Sequence, residues 1–377
     1  MANTPAFNPA SVIHGILKQS QLRYADAAFG DRSGLLSWCS WRRVSDSGEG
    51  HFSSGNTAPP TAHYLTASLT KPITALVIVQ LAAQGCFFLN EPVRTFLPDF
   101  RRGTLRTITL RHLLTHTSGL PDMLPNNDEL RAQHATITDF ADAVSQLDPA
   151  FQPGTNVSYC SMGFAVLDQV ARIASGKSLQ QLCHESIFQP LGLRNSWLGL
   201  PLPQAAELLL STIPCELPPN QPPDSNWHWN SHYWRTLGAP WGGLISTAAD
   251  LGEILAAVLN DGRTSSGTKF LSSGVVRTAV SNQTQHSVGL AEQHREHRAW
   301  GYGWRLNWPD HSGCFSDLLP ANAFGHWGAT GTLMWADPNS NRWAVVLTNQ
   351  PYERSQQAIQ RISNVLAGLD VTSHELR

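Results

Sequence analysis

The sequence predicts an α+β fold: one antiparallel β-sheet built from both ends of the chain and flanked by helices, with a mainly helical domain inserted between them. Three observations predict it. β-forming runs occur near the start (24–29 and 35–41) and again near the end (301–308, 331–336 and 342–348). The stretch between them carries apolar residues at helical spacing. No internal repeat or low-complexity tract interrupts the 377 residues, a length sufficient for two domains around a large core. The expected division is a sheet domain from residues 1–84 and 291–377, a helical domain from 85–290, and a site at their interface.

Taken in order, Val12, Ile13, Ile16 and Leu17 recur at helical spacing, so a short amphipathic helix opens the fold within 8–22. Gly30-Asp-Arg-Ser-Gly34 is a hairpin signal between the first two β-rich runs. Ser47-Gly-Glu-Gly50 and Gly55-Asn-Thr-Ala-Pro-Pro60 read as loops leading to Tyr64. Ile73, Leu76, Val77 and Leu81 then place an apolar-faced helix beginning at or just after Ser68. Pro72 must lie in its first turn, where a missing N–H is tolerated. Thr109 caps a short helix bearing Leu110, Leu113 and Leu114, with Gly119 beyond its end. Further helices are expected at 137–147, 162–175 and 179–188, with Gly176 as a terminator between the last two. Residues 200–243 are rich in proline and aromatics, including Trp227, Trp229, Tyr233, Trp234 and Trp241. A clean helix follows at 247–260. Asp337-Pro-Asn-Ser-Asn341 supplies the hairpin turn between the last two strands, and 355–369 is a closing helix.

Composition excludes several classes of function. Net charge is −2 and only 14% of residues are charged, which gives no footing for a nucleic acid or other polyanion. No apolar run approaches the ~18 residues of a membrane helix, so no membrane partner is expected. The first residues lack the basic and apolar regions of a secretory leader, so a cytoplasmic location is expected, or a periplasmic one if a leader has been removed. The six cysteines (39, 86, 160, 183, 215 and 314) are scattered without a C-x-x-C pair and read as free thiols. His228 with His232, and His294 with His297, could share helical faces, but both pairs lie in polar, loop-like stretches. No metal site and no cofactor are expected.

The chemistry centres on Ser68-Leu-Thr-Lys71. Residues three apart on a helix share a face, which brings the Lys71 amine beside the Ser68 hydroxyl. A lysine in a water-poor pocket is neutral often enough to accept the serine's proton. Alone, the four residues read equally as an N-cap serine and a solvated lysine. Two companions change this: Tyr159-Cys160-Ser161 after the loop Pro153-Gly-Thr155, and His326-Trp327-Gly328 before a strand. With them the sequence resembles the serine β-lactamase and penicillin-binding protein superfamily. It is most similar to the class C branch of class C β-lactamases, D-alanyl-D-alanine carboxypeptidases, D-aminopeptidases and family VIII carboxylesterases. The resemblance spans about residues 64–348 and includes the segments 112–121, 188–193, 242–247 and 326–332.

What the resemblance implies is an acyl-enzyme. Ser68 would attack the substrate carbonyl. Lys71 would draw its proton, directly or through Tyr159, and Tyr159 would protonate the leaving group and activate the deacylating water. Tyrosine ordinarily titrates near 10, so it needs a neighbouring cation for this work. The oxyanion hole would be the backbone N–H groups of Ser68 and Ala329. Ser161, His326, Trp327, Gly328 and Trp241 would bind substrate. His112 and His116 read as structural, and Cys160 as inert.

Three departures bear on the substrate, which is a small-molecule ester or amide. Ser161 stands where an asparagine is usual and reaches less far toward an amide. Trp327 replaces the hydroxyl residue that helps bind a β-lactam or peptide carboxylate. His326 replaces a lysine and is a less dependable cation at neutral pH. Together they favour a carboxylesterase on short-chain or aryl esters. A β-lactamase, D-amino-acid peptidase or amidase of the same fold is the alternative. A catalytically weak binding or sensor protein is the third, against which the intact Ser68, Lys71 and Tyr159 argue. Acyl-chain preference, physiological substrate and oligomeric state are not encoded legibly.

Overall fold

The computed structural model describes residues 8–308 and 315–369. Its strands are β1 (Tyr24–Asp31), β2 (Gly34–Arg43), β3 (Gly50–Gly55), β4 (Tyr64–Leu65), β5 (Trp197–Leu198), β6 (Leu244–Ser246), β7 (Arg305–Leu306), β8 (Phe324–Gly328), β9 (Thr332–Asp337) and β10 (Arg342–Thr348). Seven of them form one sheet in the order β3-β2-β1-β10-β9-β8-β7, antiparallel at every pairing. The α+β class is therefore as expected, and the sheet is built from both ends of the chain. Its seam is β1 on β10, with Ala25 opposite Thr348 and Asp31 opposite Arg342.

Alternation along each strand sends neighbouring side chains into two cores. Ala344 and Val346 join Ala27, Phe29 and Trp335 on one face, covered by the helices Pro9–Gln19 and Tyr352–Ala367. Trp343, Val345 and Leu347 join Met334 and Ala336 in the larger core on the other face. The helix Ala248–Leu259 packs there across β1, β2 and β10, although it falls inside the stretch read as helical domain. Gly252 permits that approach, because a Cβ at this position would run into the Trp343 ring.

Several elements differ in detail from expectation. An edge strand, β3, lies between the two stretches read as loops; its burial is patchy, which blurs the period-two signal. The run 301–308 yields only the two residues of β7, because Gly303 (φ 69°) turns the chain just before it. The expected helix 179–188 is an α-helical turn, Leu179–Cys183, followed by a π-turn, His184–Phe188. The helix after Ser68 is not apolar on one face but enclosed nearly all round, as the buried Thr70, Lys71 and Thr74 attest. Cys314 lies outside the described residues; Cys39, Cys86, Cys160, Cys183 and Cys215 are free. No described helix is long and apolar enough to cross a membrane.

Candidate active site

Ser68 lies in a short 3-10 turn, Ala67–Leu69, that runs into the helix Thr70–Ala83. Pro72 is the third residue of that helix, so its absent N–H falls among the groups that lack an intrahelical acceptor. Ala67 adopts a left-handed conformation (φ 48°), which costs a non-glycine residue about 1–3 kcal/mol. Threonine hydroxyls hold the turn in this shape. Thr332 Oγ1 donates to Thr66 O (2.8 Å) and Thr330 Oγ1 to Leu65 O (2.6 Å). Thr66 donates to Leu244 O through both its N–H and its hydroxyl. Thr70 Oγ1 donates to Ala67 O and accepts from Leu244 N, and Thr74 Oγ1 donates to Pro240 O. The backbone N–H groups of Ser68 and Ala329 have no acceptor among the described residues, and an oxyanion requires two such free donors.

Lys71 is fully buried. Its Nζ donates to Ser68 Oγ (3.1 Å) and to the Trp241 carbonyl (3.0 Å). Burial pulls the ammonium down to about 7, while the negative charge of Asp122 acts in the opposite direction. Near neutral pH a large share of the lysine is thus free base, pointed at the hydroxyl it would deprotonate.

Tyr159 behaves differently from expectation. Lys71 Nζ lies 4.6 Å from the centre of its ring, over the face and not against the oxygen. Burial, and then the charge of Asp122, push the phenol well above its ordinary value. The nearby Ser68 hydroxyl favours the phenolate, yet the Tyr159 oxygen is enclosed and outside hydrogen-bond geometry with any side chain. At neutral pH the phenol is therefore protonated, and of the two groups it is the Lys71 amine that is hydrogen-bonded to Ser68 Oγ.

Two neutral histidines pack around Tyr159. His116 accepts the Cys160 N–H at Nδ1 (3.0 Å), and its carbonyl accepts the Ser158 N–H (2.9 Å), so it holds the backbone on both sides of the tyrosine. Its ring centre is 4.8 Å from that of Tyr159. His112 serves a cap, its Nδ1 accepting the Thr109 N–H. His326 donates from Nδ1 to the Trp327 carbonyl (2.7 Å). Burial, reinforced by Lys71, pushes its pKa well below the ordinary range, so it is neutral where a lysine would be charged. Burial also pushes the Cys160 thiol up to about 12, leaving it inert.

A cavity of about 690 Å³ opens beside Ser68. Tyr159, Ser161, Trp241, Trp327 and Ala329 all line it, so most of the expected site residues converge. Trp327 stacks on Tyr352 (4.8 Å between centres). Trp241 packs edge-on to Trp234, and Trp229 completes the aromatic wall, so part of the tryptophan-rich loop reaches the site. Two expected contacts are corrected. His326 and Gly328 are not on the cavity wall, because His326-Trp327-Gly328, besides preceding β9 as expected, is itself the end of strand β8. Alternate residues of a strand face opposite sides, so Trp327 faces the cavity and its two neighbours do not. Gly328 instead admits the nucleophile turn; a Cβ there would strike Thr66 O and Thr332 Oγ1.

A family model described as Beta-lactamase matches residues 32–367. The chain belongs to the beta-lactamase family. Penicillin-binding protein 4 from Amycolatopsis lactamdurans is 29% identical over 317 residues, covering 80% of this chain and 76% of that protein. Esterase EstB of Burkholderia gladioli is 33% identical over 144 residues, which is 34% of this chain and 36% of that one. A penicillin-binding protein homolog from Caulobacter crescentus has a similar fold, with TM-score 0.71 at 19% identity over 94% of this chain and 96% of that chain.

In this beta-lactamase-family site, sequence reasoning missed the threonine ties, Asp122 and Arg131. Thr66, Thr70 and Thr74 carried a signal: hydroxyls four apart around a serine–lysine pair, leading into an otherwise largely apolar helix. Asp122, whose Oδ1 accepts the Ser161 N–H (3.0 Å), follows the turn at Gly119. Arg131 had no local signal.

Proposed function

We propose that this chain is a serine hydrolase that forms an acyl-enzyme on Ser68 and acts as a carboxylesterase on short-chain or aryl esters. One observation carries the reading: a buried lysine amine, titrating at about 7, donates to the Ser68 hydroxyl. Lys71 as free base takes the proton while Ser68 Oγ bonds to the ester carbonyl carbon. The resulting oxyanion fits the free N–H groups of Ser68 and Ala329, a pair whose removal typically costs a few kcal/mol of transition-state stabilisation. As the carbon–oxygen bond to the alcohol breaks, Tyr159 donates its proton and is reprotonated from Lys71. Water then attacks the acyl carbon, giving its proton to the same pair, which returns it to Ser68 Oγ as the Oγ–carbon bond breaks and the acid leaves.

Preference for an ester rests on what the wall at β8 offers. Trp327 presents an indole, and neutral His326 faces away, so a carboxylate next to the scissile bond finds no cation there. The amide-bond alternative draws support from the long match to penicillin-binding protein 4. To test the reading, the protein is labelled with a fluorophosphonate and its turnover of a p-nitrophenyl short-chain ester is compared with that of a chromogenic cephalosporin. Labelling at Ser68 and faster ester turnover are expected. Unchanged labelling of Ser68→Ala would remove Ser68 as nucleophile, and preference for the cephalosporin would replace esterase with β-lactamase.

A further inference from the structure

The wall of the cavity contains an arginine with nothing to bind. Arg131, in the short helix Asn127–Ala132, is only 5% exposed. Among the described residues no acceptor lies within hydrogen-bond or ion-pair distance of its guanidinium, and its Nε is enclosed without a partner. Its guanidinium lies over the face of Trp234, 4.1 Å from Cζ to the ring centre. Neighbours that could have paired with it are engaged elsewhere. Tyr233 donates its hydroxyl to Ala135 O, and Asp128 is exposed and accepts from Asn127 Nδ2.

Other arginines in this molecule show how unusual this is. Arg235, equally buried, donates to Trp229 O, Ile213 O and Asn230 Oδ1. Arg42 is paired with buried Asp26. Burial lowers Arg131 only to about 10, so it stays charged at neutral pH. A buried charge without a counterion is strongly unfavourable, and such groups concentrate at sites where a ligand completes them.

We propose that Arg131 is the anchor for a carboxylate carried by the substrate away from its scissile carbonyl, so that the preferred substrate is an ester with a remote acid group. The substrate class rests on the esterase reading above. Planar guanidinium donors match a carboxylate in two-point geometry, and the Trp234 face holds the fork in orientation. The cavity's carboxylates, Asp122, Asp128, Glu129 and Glu353, are all exposed, where water screens them. Arg131 acts from the buried wall, where charge interactions are stronger. Trp234, which carries Arg131, packs on Trp241, whose carbonyl holds Lys71, so the anchor is set two aromatic rings back from the nucleophile.

The test compares the p-nitrophenyl monoester of suberic acid with its neutral methyl ester. In wild type the free acid is expected to have the higher kcat/KM. Arg131→Gln should lower the acid-to-methyl ratio by about ten- to a hundredfold, and Arg131→Lys should restore part of it. An arginine that only supports the fold would move both esters alike, so an unchanged ratio in folded Arg131→Gln overturns the proposal. Binding of both esters to Ser68→Ala, measured by calorimetry, separates this from the activity. If wild type cleaves neither ester but Ser68→Ala binds the acid more tightly in an Arg131-dependent way, the esterase reading falls and the anion anchor stands. Equal binding of acid and methyl ester overturns the anchor.

Discussion

The two sides of Ser68 are built on different principles. On one side the nucleophile turn is tied by threonine hydroxyls to β6, β9 and the loop between β8 and β9, and every tie is buried. On the other, the cavity is walled by tryptophans from separate segments of the chain, Trp229, Trp234, Trp241 and Trp327, and rimmed by exposed carboxylates. Chemistry demands positions fixed to a fraction of an ångström, and polar ties within a packed interior supply them. Substrate choice needs shape and charge, which stacked rings and one unpaired cation provide.

The largest effects should come from the tied side. Lys71→Ala and Tyr159→Phe are each expected to lower kcat by orders of magnitude, with the double variant little worse than either single one, as for residues acting as a unit. Multiplicative losses in steady-state kinetics would show that the two do not share a proton path. Next comes the aromatic side. Trp327→Thr with Ser161→Asn should shift the ratio of kcat/KM for cephalosporin over ester by about ten- to a hundredfold, the value of one hydrogen bond to a charged group. A ratio that stays put would move substrate selection to Trp229, Trp234 and Arg131.

A smaller effect is expected at a tie itself. Thr332→Val leaves the Thr66 carbonyl without its hydroxyl partner, at a cost of about 1–3 kcal/mol in denaturant unfolding. It should also lower kcat more than it changes KM, since the loosened group is the nucleophile; an affected KM alone would deny the turn its positioning role. The smallest concerns pH. Activity requires Lys71 unprotonated, so kcat/KM should rise through an acid limb near pH 7. The negative charge of Asp122 raises Lys71, so Asp122→Asn should move that limb to lower pH, by less than about one unit because Asp122 is exposed. A limb that moves upward would mean another group governs it.

What could be read in the sequence follows the same line between the two sides. The start of the helix at Thr70, the caps at Thr109 and Thr247 and the left-handed Gly176 are encoded within a few residues, and each lies at or beside its expected place. The serine–lysine contact is legible for the same reason, being one helical turn long. The direction of His326 was not legible because the five residues of β8 that hold it, ahead of the expected β9, gave no strand signal of their own. The depth of Tyr159, and hence the direction of its titration, depends on Trp300 and His116, which approach from distant segments. Arg131 is visible as unpaired only when everything around it is in place.

The ties to β9 also set an order in time. Thr330 and Thr332 reach back to Leu65 and Thr66 across more than 260 residues, and β1 finds its register only on β10. Long-range pairings of this kind form late. During synthesis Ser68 and Lys71 leave the ribosome about 260 residues ahead of Ala329, the proposed second oxyanion donor. A chain released at residue 300 carries the nucleophile and its base, yet should not react with a fluorophosphonate. Reactivity at Ser68 should therefore wait for β8 and β9, whichever way the earlier segments have already packed.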